Sequence, residues 1–436
     1  MIAVDDRLRP FRRDCTPYIP EVNAPVAPPI AVSHGSSDLP AVTVDAYNAE
    51  LRDAEGFIGD RASNRAFRAI LDESRERVRK VADEDPLGDT PTEDLPKKKM
   101  DKLLLEGAPE AAGVIHGAIE EFATELSTVI TRFLKLKGWH DTERIVVGGG
   151  LRASRVGEVA IGRTSVLLKA AGHDLDLVPV YNSPDEAGLL GALHLAPAWM
   201  LEGHDAILAV DIGGSNLRTG LVRLRGSKGP EKAAEKSSEK NSDKSSEKSA
   251  EKGAEKSSKK GAEKARERSS DKAGGKTADR AGDPPAEIAR GTVAELDLWR
   301  YADEKTKPSR DEAVQRIVAM LERLVRHAAK EDMKLAPFIG VGCPGIIAPD
   351  GQIERGGQNL PGNWESSRFN LPALLQEAIP KIDGHDTVVV MHNDAVVHGL
   401  SDLARVTDVD RWGVLTIGTG LGNARFTNKH PAKPRK

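Results

Sequence analysis

The chain has 436 residues, of which 39% are hydrophobic and 30% are charged, and its formal net charge is -4. This length predicts two or three domains, and the small net charge gives no basic bias, so we expect no nucleic-acid partner. The two cysteines, Cys15 and Cys343, exclude a disulfide framework and a four-cysteine zinc site, and they indicate a reducing cytoplasm.

Residues 1–40 are rich in proline and small residues. Such a composition buries little apolar area, so we interpret them as a disordered N-terminal arm. The first residues carry charges where a signal peptide needs an apolar run, and no stretch reaches about 18 consecutive apolar residues. We therefore expect a soluble, cytoplasmic protein without a membrane segment.

The spacing of apolar residues predicts an exposed amphipathic helix over 62–82 and a more apolar helix over 111–136. A β-branched run that ends in Gly148–Gly150 indicates a buried strand followed by a tight turn. Residues 165–200 continue as helix, strand and helix, and the second of these helices contains Gly188 and Gly191. This alternation indicates an α/β fold.

Further along the chain, two strands joined by the sequence GGSN are predicted over 206–225 and a third strand over 292–301. A helix capped by serine is predicted over 310–330. Buried strands follow in FIGVGCPGII, TVVVMHNDA and RWGVLTIGTGLG. The sequence therefore predicts a strand-rich second half in which several strands end at glycines or polar residues.

The segment 226–288 is rich in lysine, glutamate and serine, and its acidic residues recur at every fourth position. Because like charges four residues apart disfavour a helix, we interpret this segment as a disordered insertion between two strands of a hairpin. A charged arm that binds a partner is the alternative that the composition leaves open.

The first candidate site runs from Asp211 to Arg218, where a buried strand ends in a carboxylate and then glycines. The backbone N–H groups of Gly213, Gly214 and the residues up to Asn216 suit phosphate oxygens, and the carboxylate of Asp211 suits Mg²⁺ held through water. The alternative is an ordinary hairpin turn with a side-chain cap.

The second candidate is Gly418-Thr419-Gly420, a phosphate-binding turn after another apolar strand. It also looks like a fragment of a dinucleotide fingerprint, but no helix of normal length follows, which counts against a Rossmann site. The third is Gly148-Gly149-Gly150, where three glycines leave a flat surface for a planar base or simply make a tight turn.

The fourth candidate is Asn393-Asp394 at the end of a buried strand. Asp394 suits a general base and Asn393 suits a polyhydroxyl substrate, with a polar helix cap as the alternative. The loop around Gly357, Asn359 and Trp364 fits either a sugar-binding wall or a loop with a buried anchor. Cys343 lacks an activating neighbour, which is typical of a small core residue.

Together these motifs resemble the ROK family of sugar kinases, which are similar to glucokinase and belong to the actin-like ATPases. Asp-x-Gly-Gly-x-Asn-x-Arg at 211–218 resembles the first phosphate motif of that superfamily. GVGCPGII, NLPGNW, NDA and IGTGLG resemble successive ROK landmarks, and VVGGGL with SPDEAGLLGALHLA resembles the adenosine motif and closing helix. The resemblance covers most of 100–225 and 290–425.

The order of the motifs differs from that family, in which the phosphate motif comes first and the GGG and AGLLGA segments come last. The resemblance therefore implies a circularly permuted actin-like (ribonuclease H-like) α/β fold, with two lobes around a nucleotide cleft. One lobe would comprise 41–200, and the other would comprise 201–225 with 289–430. Domains of this kind tolerate permutation because their termini are often neighbours.

The resemblance also implies roles for the candidate residues. Asp394 would deprotonate a hexose hydroxyl, with substrate contacts from Asn359, Asn393 and Gly357. ATP and Mg²⁺ would be required, Asp211 would hold Mg²⁺ through water, and ATP would contact Gly213, Gly214, Asn216, Arg218, Gly418, Thr419, Gly420, Gly148, Gly149 and Gly150. The partners would be a sugar and ATP, and the sequence leaves open whether the protein forms a homo-oligomer.

Two features depart from the family pattern. The sequence lacks the Glu-x-Gly-His element and the cysteine-rich zinc motif, so we expect no structural zinc. The segment 45–63 offers candidates for a replacement carboxylate, and the sequence does not identify which one of them it is. The alternatives to a kinase are a catalytically silent sugar or nucleotide sensor on the same fold and an NAD-dependent enzyme. A DNA-binding repressor is disfavoured because residues 1–40 show no helix-turn-helix.

Overall fold

The computed structural model describes residues 33–82, 84–225 and 290–429. The insertion predicted over 226–288 and the first 32 residues of the predicted arm lie outside this part of the chain. Residues 33–40 of the arm are described, and there Leu39 is buried in the core beside Val42. Ordered structure therefore extends into residues 33–40 of the predicted arm, because Leu39 in this stretch finds an apolar contact.

Nine α-helices occur in the described residues: α1 (Asn64–Arg79), α2 (Lys97–Glu106), α3 (Pro109–Leu134), α4 (Arg155–Ala170), α5 (Ala187–Gly191), α6 (Ala198–Leu201), α7 (Arg310–Lys330), α8 (Leu371–Ala378) and α9 (Asp394–Leu400). Their strands are β1 (Val42–Tyr47), β2 (Arg52–Asp53), β3 (Gly56–Phe57), β4 (Arg144–Gly148), β5 (Asp176–Pro179), β6 (Ala206–Ile212), β7 (Leu217–Leu224), β8 (Gly291–Trp299), β9 (Leu335–Cys343), β10 (Ile346–Ile347), β11 (Ile353–Arg355), β12 (Lys381–Ile382), β13 (His385–Asp386), β14 (Val388–Asn393), β15 (Arg411–Ile417) and β16 (Leu421–Asn428).

Two five-stranded sheets organise the molecule. The first sheet has the order β1-β16-β15-β4-β5, in which β1, β16 and β15 are antiparallel neighbours and β15, β4 and β5 are parallel. The second sheet has the order β8-β7-β6-β9-β14, in which β8, β7 and β6 are antiparallel and β6, β9 and β14 are parallel. The two sheets therefore share one pattern of order and direction.

The strands of the second sheet follow one another along the chain as β6, β7, β8, β9 and β14. The matching positions of the first sheet are filled by β15, β16, β1, β4 and β5, so its sequence order breaks between β16 and β1. Strands β15 and β16 thus belong to the first sheet, although residues 411–428 fall within the range expected for the second lobe. These strands could not be assigned to the first sheet from the sequence, because local sequence does not determine which strands pair.

The short helices α5 and α9 lie between the two sheets, where α5 contacts β6 and β7 and α9 contacts β9, β14, β15 and β16. The two helices pack closely because Gly191 of α5 lies directly against the backbone of Val397 in α9. No side chain fits between them, which explains one glycine of the AGLLGA motif. Their apolar faces join a core that extends into both sheets.

Most helices form where the sequence predicts them. Ser309 and Glu312 make a capping box at the start of α7, and Ile317, Leu321 and Leu324 bury its apolar face. The helix predicted near the end of 165–200 is broken instead into α5, a single turn and α6. Pro197 explains the break, because the residue before a proline avoids the helical conformation and Ala196 is extended.

In the described ranges 33–82, 84–225 and 290–429, we find no helix with the length and apolar character that crossing a bilayer requires.

Candidate functional site

The glycine turns predicted as phosphate and nucleotide sites border one cleft of about 530 Å³, which is the size of a typical ligand pocket. Its lining includes Gly149 and Gly150, the turn from Gly213 to Asn216, Arg218, and the turn from Gly418 to Gly420. These residues come from the ends of β4, β6 and β15, so strands of both sheets converge on it.

The hairpin turn between β6 and β7 is held in shape by two contacts. The Gly213 N–H donates to the Asn216 carbonyl at 2.9 Å, and the Tyr301 hydroxyl donates to the Gly213 carbonyl. Among the described residues, the N–H groups of Gly214 and Ser215 have no acceptor. Free backbone N–H groups in such a turn can bind an anion.

The hairpin turn between β15 and β16 occupies the matching position of the first sheet. The Gly418 N–H donates to the Gly420 carbonyl at 2.9 Å, while the N–H groups of Thr419 and Gly420 find no acceptor in the part of the chain that is described. The Thr419 Oγ1 lies 2.9 Å from the Ser215 Oγ in the other hairpin. The two turns therefore meet and present free donors together.

The third turn follows β4 and is joined to the second. Gly149 has a φ of +82°, and a β-carbon there would lie 2.6 Å from the Ile417 backbone nitrogen. The Asn64 N–H donates to the Gly418 carbonyl at 3.0 Å, and Asn64 also flanks Gly150. Gly148 is not in the cleft lining, because it packs beneath Val180 instead.

Asp394 opens helix α9 and lines the cleft. Burial by the surrounding walls raises the pKa of its carboxyl to about 7, and the nearby negative charge of Asp211 adds to this. The side chain keeps some exposure to the cleft, so the enclosing walls rather than a sealed core cause the desolvation. A carboxylate whose pKa lies near neutral pH is well matched to general-base chemistry.

Asn393 is buried, with 2% of its surface exposed, and does not line the cleft. Its Oδ1 accepts from the N–H groups of Ala395 and Val396, and its Nδ2 donates to the Gly345 carbonyl at 3.0 Å. This amide caps α9 and thereby fixes the position of Asp394. Asn393 is therefore the helix cap of this motif, and Asp394 is its residue that lines the cleft.

Asp211 lies just below the cleft surface, with 2% of its surface exposed. Its Oδ2 is 2.9 Å from Nη1 of Arg218 and 3.7 Å from Nε2 of His398. Arg218 is also 2.8 Å from Asp185, so one guanidinium serves two carboxylates. Gly188 packs directly against the Asp211 side chain, where any larger residue would displace it.

The described residues contain no cluster of three or more His, Cys, Asp or Glu side chains that would hold a metal alone. Mg²⁺ needs no such cluster, because it usually binds one or two carboxylates together with substrate phosphates and water. Asp211 is one such carboxylate, and its charge acts on Asp394 in the cleft, so it fits a Mg²⁺ ion held through water.

The predicted loop contributes Gln358 and Asn359 to the cleft. The β-carbon of Asn359 lies 3.3 Å from the position a β-carbon would take at Gly214, so the loop touches the first turn. Gly357 is outside the lining and donates its N–H to Glu365 at 2.8 Å. Trp364 is 1% exposed and packs on Phe369, which makes it a buried anchor rather than a sugar-binding face.

The segment 45–63 borders the cleft with Asn48, Glu50 and Asp60. Its other carboxylates lie outside the lining, where Asp45 pairs with Arg425, and both Asp53 and Glu55 pair with Arg61. Asn48 has a φ of +48°, and its Nδ2 is buried without a hydrogen-bond partner among the described residues.

No residue pattern singles out Asn48, Asp185 or Lys97 as site residues, although all three border the cleft. Their positions depend on contacts between distant parts of the chain. Cys343, by contrast, is buried as expected, and its burial raises the pKa of its thiol.

No model of a known protein family matches the chain, and neither does any curated protein. Among solved structures it is similar to "Lmo2764 protein, a putative N-acetylmannosamine kinase, from Listeria monocytogenes", with 20% sequence identity and a TM-score of 0.28. The match covers 52% of this chain and 49% of that one, so the chain spans about half of its length. A similarity this weak is not evidence for a function, so the functional proposal depends on the cleft.

Proposed function

We propose that the protein is a cytoplasmic ATP-dependent hexose kinase, which phosphorylates a sugar hydroxyl in the cleft. The observation that carries this proposal is the junction of two hairpin turns with free N–H groups, at Gly214–Ser215 and Thr419–Gly420, in the same cleft as Asp394. Phosphoryl transfer requires mainly positioning and charge stabilisation, which this arrangement suits.

The proposed fold is a circularly permuted actin-like ATPase fold. Its support is the shared pattern of the two sheets, which is broken in sequence order only where β16 is followed by β1. If a link joined β16 to β1 and the chain opened between α6 and β6, both sheets would be built from consecutive strands. The ROK-like motifs would then also stand in the order of that family.

In the proposed reaction, the free N–H groups of the hairpin turns bind phosphate oxygens of ATP, and Gly149–Gly150 border the adenosine. Asp394 accepts the proton of the attacking sugar hydroxyl as its oxygen bonds to the γ-phosphorus, while the bond to the β-γ bridging oxygen breaks and ADP leaves. Asp211 would hold Mg²⁺ through water, and the bound Mg²⁺ would neutralise phosphate charge.

Substrate recognition falls to polar side chains beside Asp394. Asn359 and Gln358 offer amides from one loop, and Asn48 and Glu50 offer an amide and a carboxylate from another segment. The buried, unpaired Nδ2 of Asn48 is suited to a sugar hydroxyl, because an unsatisfied buried donor costs free energy that a ligand acceptor would recover. Asn393 would act by holding Asp394 in place.

A panel of hexoses mixed with Mg²⁺-ATP tests the proposal through ADP release. We expect at least one sugar to raise ADP release far above the rate with ATP alone, and to yield a sugar phosphate. Absence of sugar-dependent ADP release with every hexose, in protein that binds ATP, would contradict kinase activity.

A catalytically silent sensor on the same fold is the second candidate function. It is favoured by the ion pairs that Arg218 makes with Asp211 and Asp185, since a carboxylate already neutralised by a guanidinium attracts a cation less strongly. Saturable binding of a hexose or of ATP without turnover would support this candidate.

A further inference from the structure

Lys97 is a cation in the cleft that no sequence motif indicates. It is the first residue of α2, and its Nζ donates to the Gly150 carbonyl at 2.6 Å. Gly150 belongs to the third glycine turn, which in turn contacts Ile417 and the second turn. The ammonium group therefore lies beside the meeting point of two turns that line the cleft.

No carboxylate lies within ion-pair distance of the Lys97 Nζ in the described part of the protein. The other strong cation of the cleft lining, Arg218, is held by two carboxylates. Burial lowers the pKa of the Lys97 ammonium, and the nearby Arg68 guanidinium lowers it further, while the charges of Asp185 and Asp101 offset this only in part. Lys97 is thus a partly desolvated cation that no carboxylate pairs with directly in the described residues.

The position of Lys97 on its helix is also unfavourable. The first turn of a helix carries a partial positive charge and prefers acidic residues, yet α2 begins with three lysines and no acidic residue. Lys98 and Lys99 are exposed to solvent, which screens their charges, whereas Lys97 is half-buried. An anion beside Lys97 would offset both the burial and the helix dipole.

We propose that Lys97 binds a phosphate group of the nucleotide, as a fourth element beside the three glycine turns. The inference rests on the proposed function, because it needs a nucleoside di- or triphosphate in the cleft. The hydrogen bond to Gly150 orients the ammonium, which has three donors and so can bind phosphate without leaving the turn. Lys97 would thereby connect helix α2 to nucleotide binding.

The test compares Lys97→Met with Lys98→Met, a matched change of an exposed lysine on the same helix. Binding of ADP and of adenosine is measured for each by calorimetry. We expect Lys97→Met to weaken ADP binding about ten- to hundredfold, the usual effect of one charge-assisted hydrogen bond, and to leave adenosine binding unchanged. Lys97→Arg should recover much of the ADP affinity, and Lys98→Met should match the wild type.

A second measurement uses the unmodified protein and does not depend on how a variant folds. Reductive methylation of lysines is followed by mass spectrometry, and ADP but not adenosine should protect Lys97. Equal loss of ADP and adenosine affinity in Lys97→Met, or no protection by ADP, would overturn the role of Lys97 while leaving nucleotide binding intact. A wild-type protein that binds neither ATP nor ADP would overturn the proposed function and this inference together.

Discussion

The two five-stranded sheets have the same strand order and directions, but their strands end in different chemistry at the cleft. In the second sheet, β6 reaches Asp211 and β14 leads directly into Asp394. In the first sheet, the matching β15 leads into Gly418 and the parallel β4 into Gly149. Each sheet thus supplies a hairpin turn to the cleft, but only the second also supplies the carboxylates at its strand ends.

Two sheets of the same strand order can thus make different contacts with the two ends of one ligand. A nucleotide with a second substrate needs donors for its phosphates at one place and a base for the attacking hydroxyl at another. If the carboxylates carry the chemistry and the turns hold the nucleotide, substitution of Asp394 should affect turnover, and substitution in the turns of the first sheet should affect nucleotide affinity and stability.

The largest effect is expected from Asp394→Asn in the second sheet. Removing a general base typically lowers the rate of the chemical step by about 10²- to 10⁴-fold, and the loss should appear in sugar-dependent ADP release. Asp402→Asn is the matched control, because Asp402 is also buried near α9 but lies outside the cleft lining. Near-normal turnover of Asp394→Asn would remove Asp394 from the mechanism.

Asp394→Asn should also stabilise the fold at alkaline pH. Because the folded pKa of Asp394 is about 7 and its ordinary value is 3.8, the folded state holds a proton that the unfolded state releases. The free energy of unfolding therefore falls as pH rises between these values, by up to about 4 kcal/mol, and the asparagine variant escapes this loss. Thermal unfolding at pH 5 and pH 8 measures the difference.

Gly149→Ala tests the first sheet and is expected to act through the backbone. Both Gly149 and Gly172 have a φ near +80°, but a β-carbon at Gly172 meets nothing within 4 Å. Alanine should cost about 1–2 kcal/mol of unfolding free energy at either position, and about 1–3 kcal/mol more at Gly149, where it would clash with Ile417.

Only Gly149→Ala should also weaken ADP binding, since Gly172 lies outside the cleft lining. Chemical denaturation and calorimetry separate the two effects. Equal stability and equal ADP affinity for the two variants would show that the close contact between the third and second turns is unimportant.

Glu50→Gln tests the segment that joins the first sheet from the beginning of the chain. Loss of one charged contact with a sugar hydroxyl should raise the KM for the hexose about tenfold and leave the KM for ATP unchanged. Glu55→Gln is the control, because Glu55 pairs with Arg61 away from the cleft. A change in the KM for ATP alone would place Glu50 on the nucleotide side.

The smallest effect concerns pH. We expect kcat/KM to rise with pH through about 7, as the desolvated Asp394 becomes ionised. In Asp211→Asn this inflection should move to lower pH, because the neighbouring negative charge that raises the pKa is gone. A pH-rate profile of residual activity gives both values, and an unmoved inflection would uncouple the two carboxylates.

Local features of the fold were predictable from sequence wherever the residues that determine them lie within one segment. The capped helix α7, the hairpin between β6 and β7, and the strand before Gly148 each follow from spacing, capping and turn residues. The glycine turns were predictable for the same reason, since glycine marks turns in which the backbone comes close to a ligand. Their convergence on one cleft could not be deduced without knowing which strands pair.

Sites made of side chains from distant segments could not be predicted in this way. Lys97 is the first of three consecutive lysines, a pattern typical of a solvated surface. Only its contact with Gly150 distinguishes it from Lys98 and Lys99. Asn48 lies beside Gly356, far away in sequence. The segment 45–63 offered several carboxylates, and pairing with arginines removed Asp45 and Asp53 from consideration.

During translation, the two sheets become available to the nascent chain at different times. All strands of the second sheet lie between Ala206 and Asn393, so it can be completed before the last strands leave the ribosome. The first sheet must wait, because β1 pairs with β16 and Asp45 binds Arg425, 380 residues later. Until then β1, β4 and β5 expose apolar surface, so a chaperone that holds the early segments should raise the yield of folded protein.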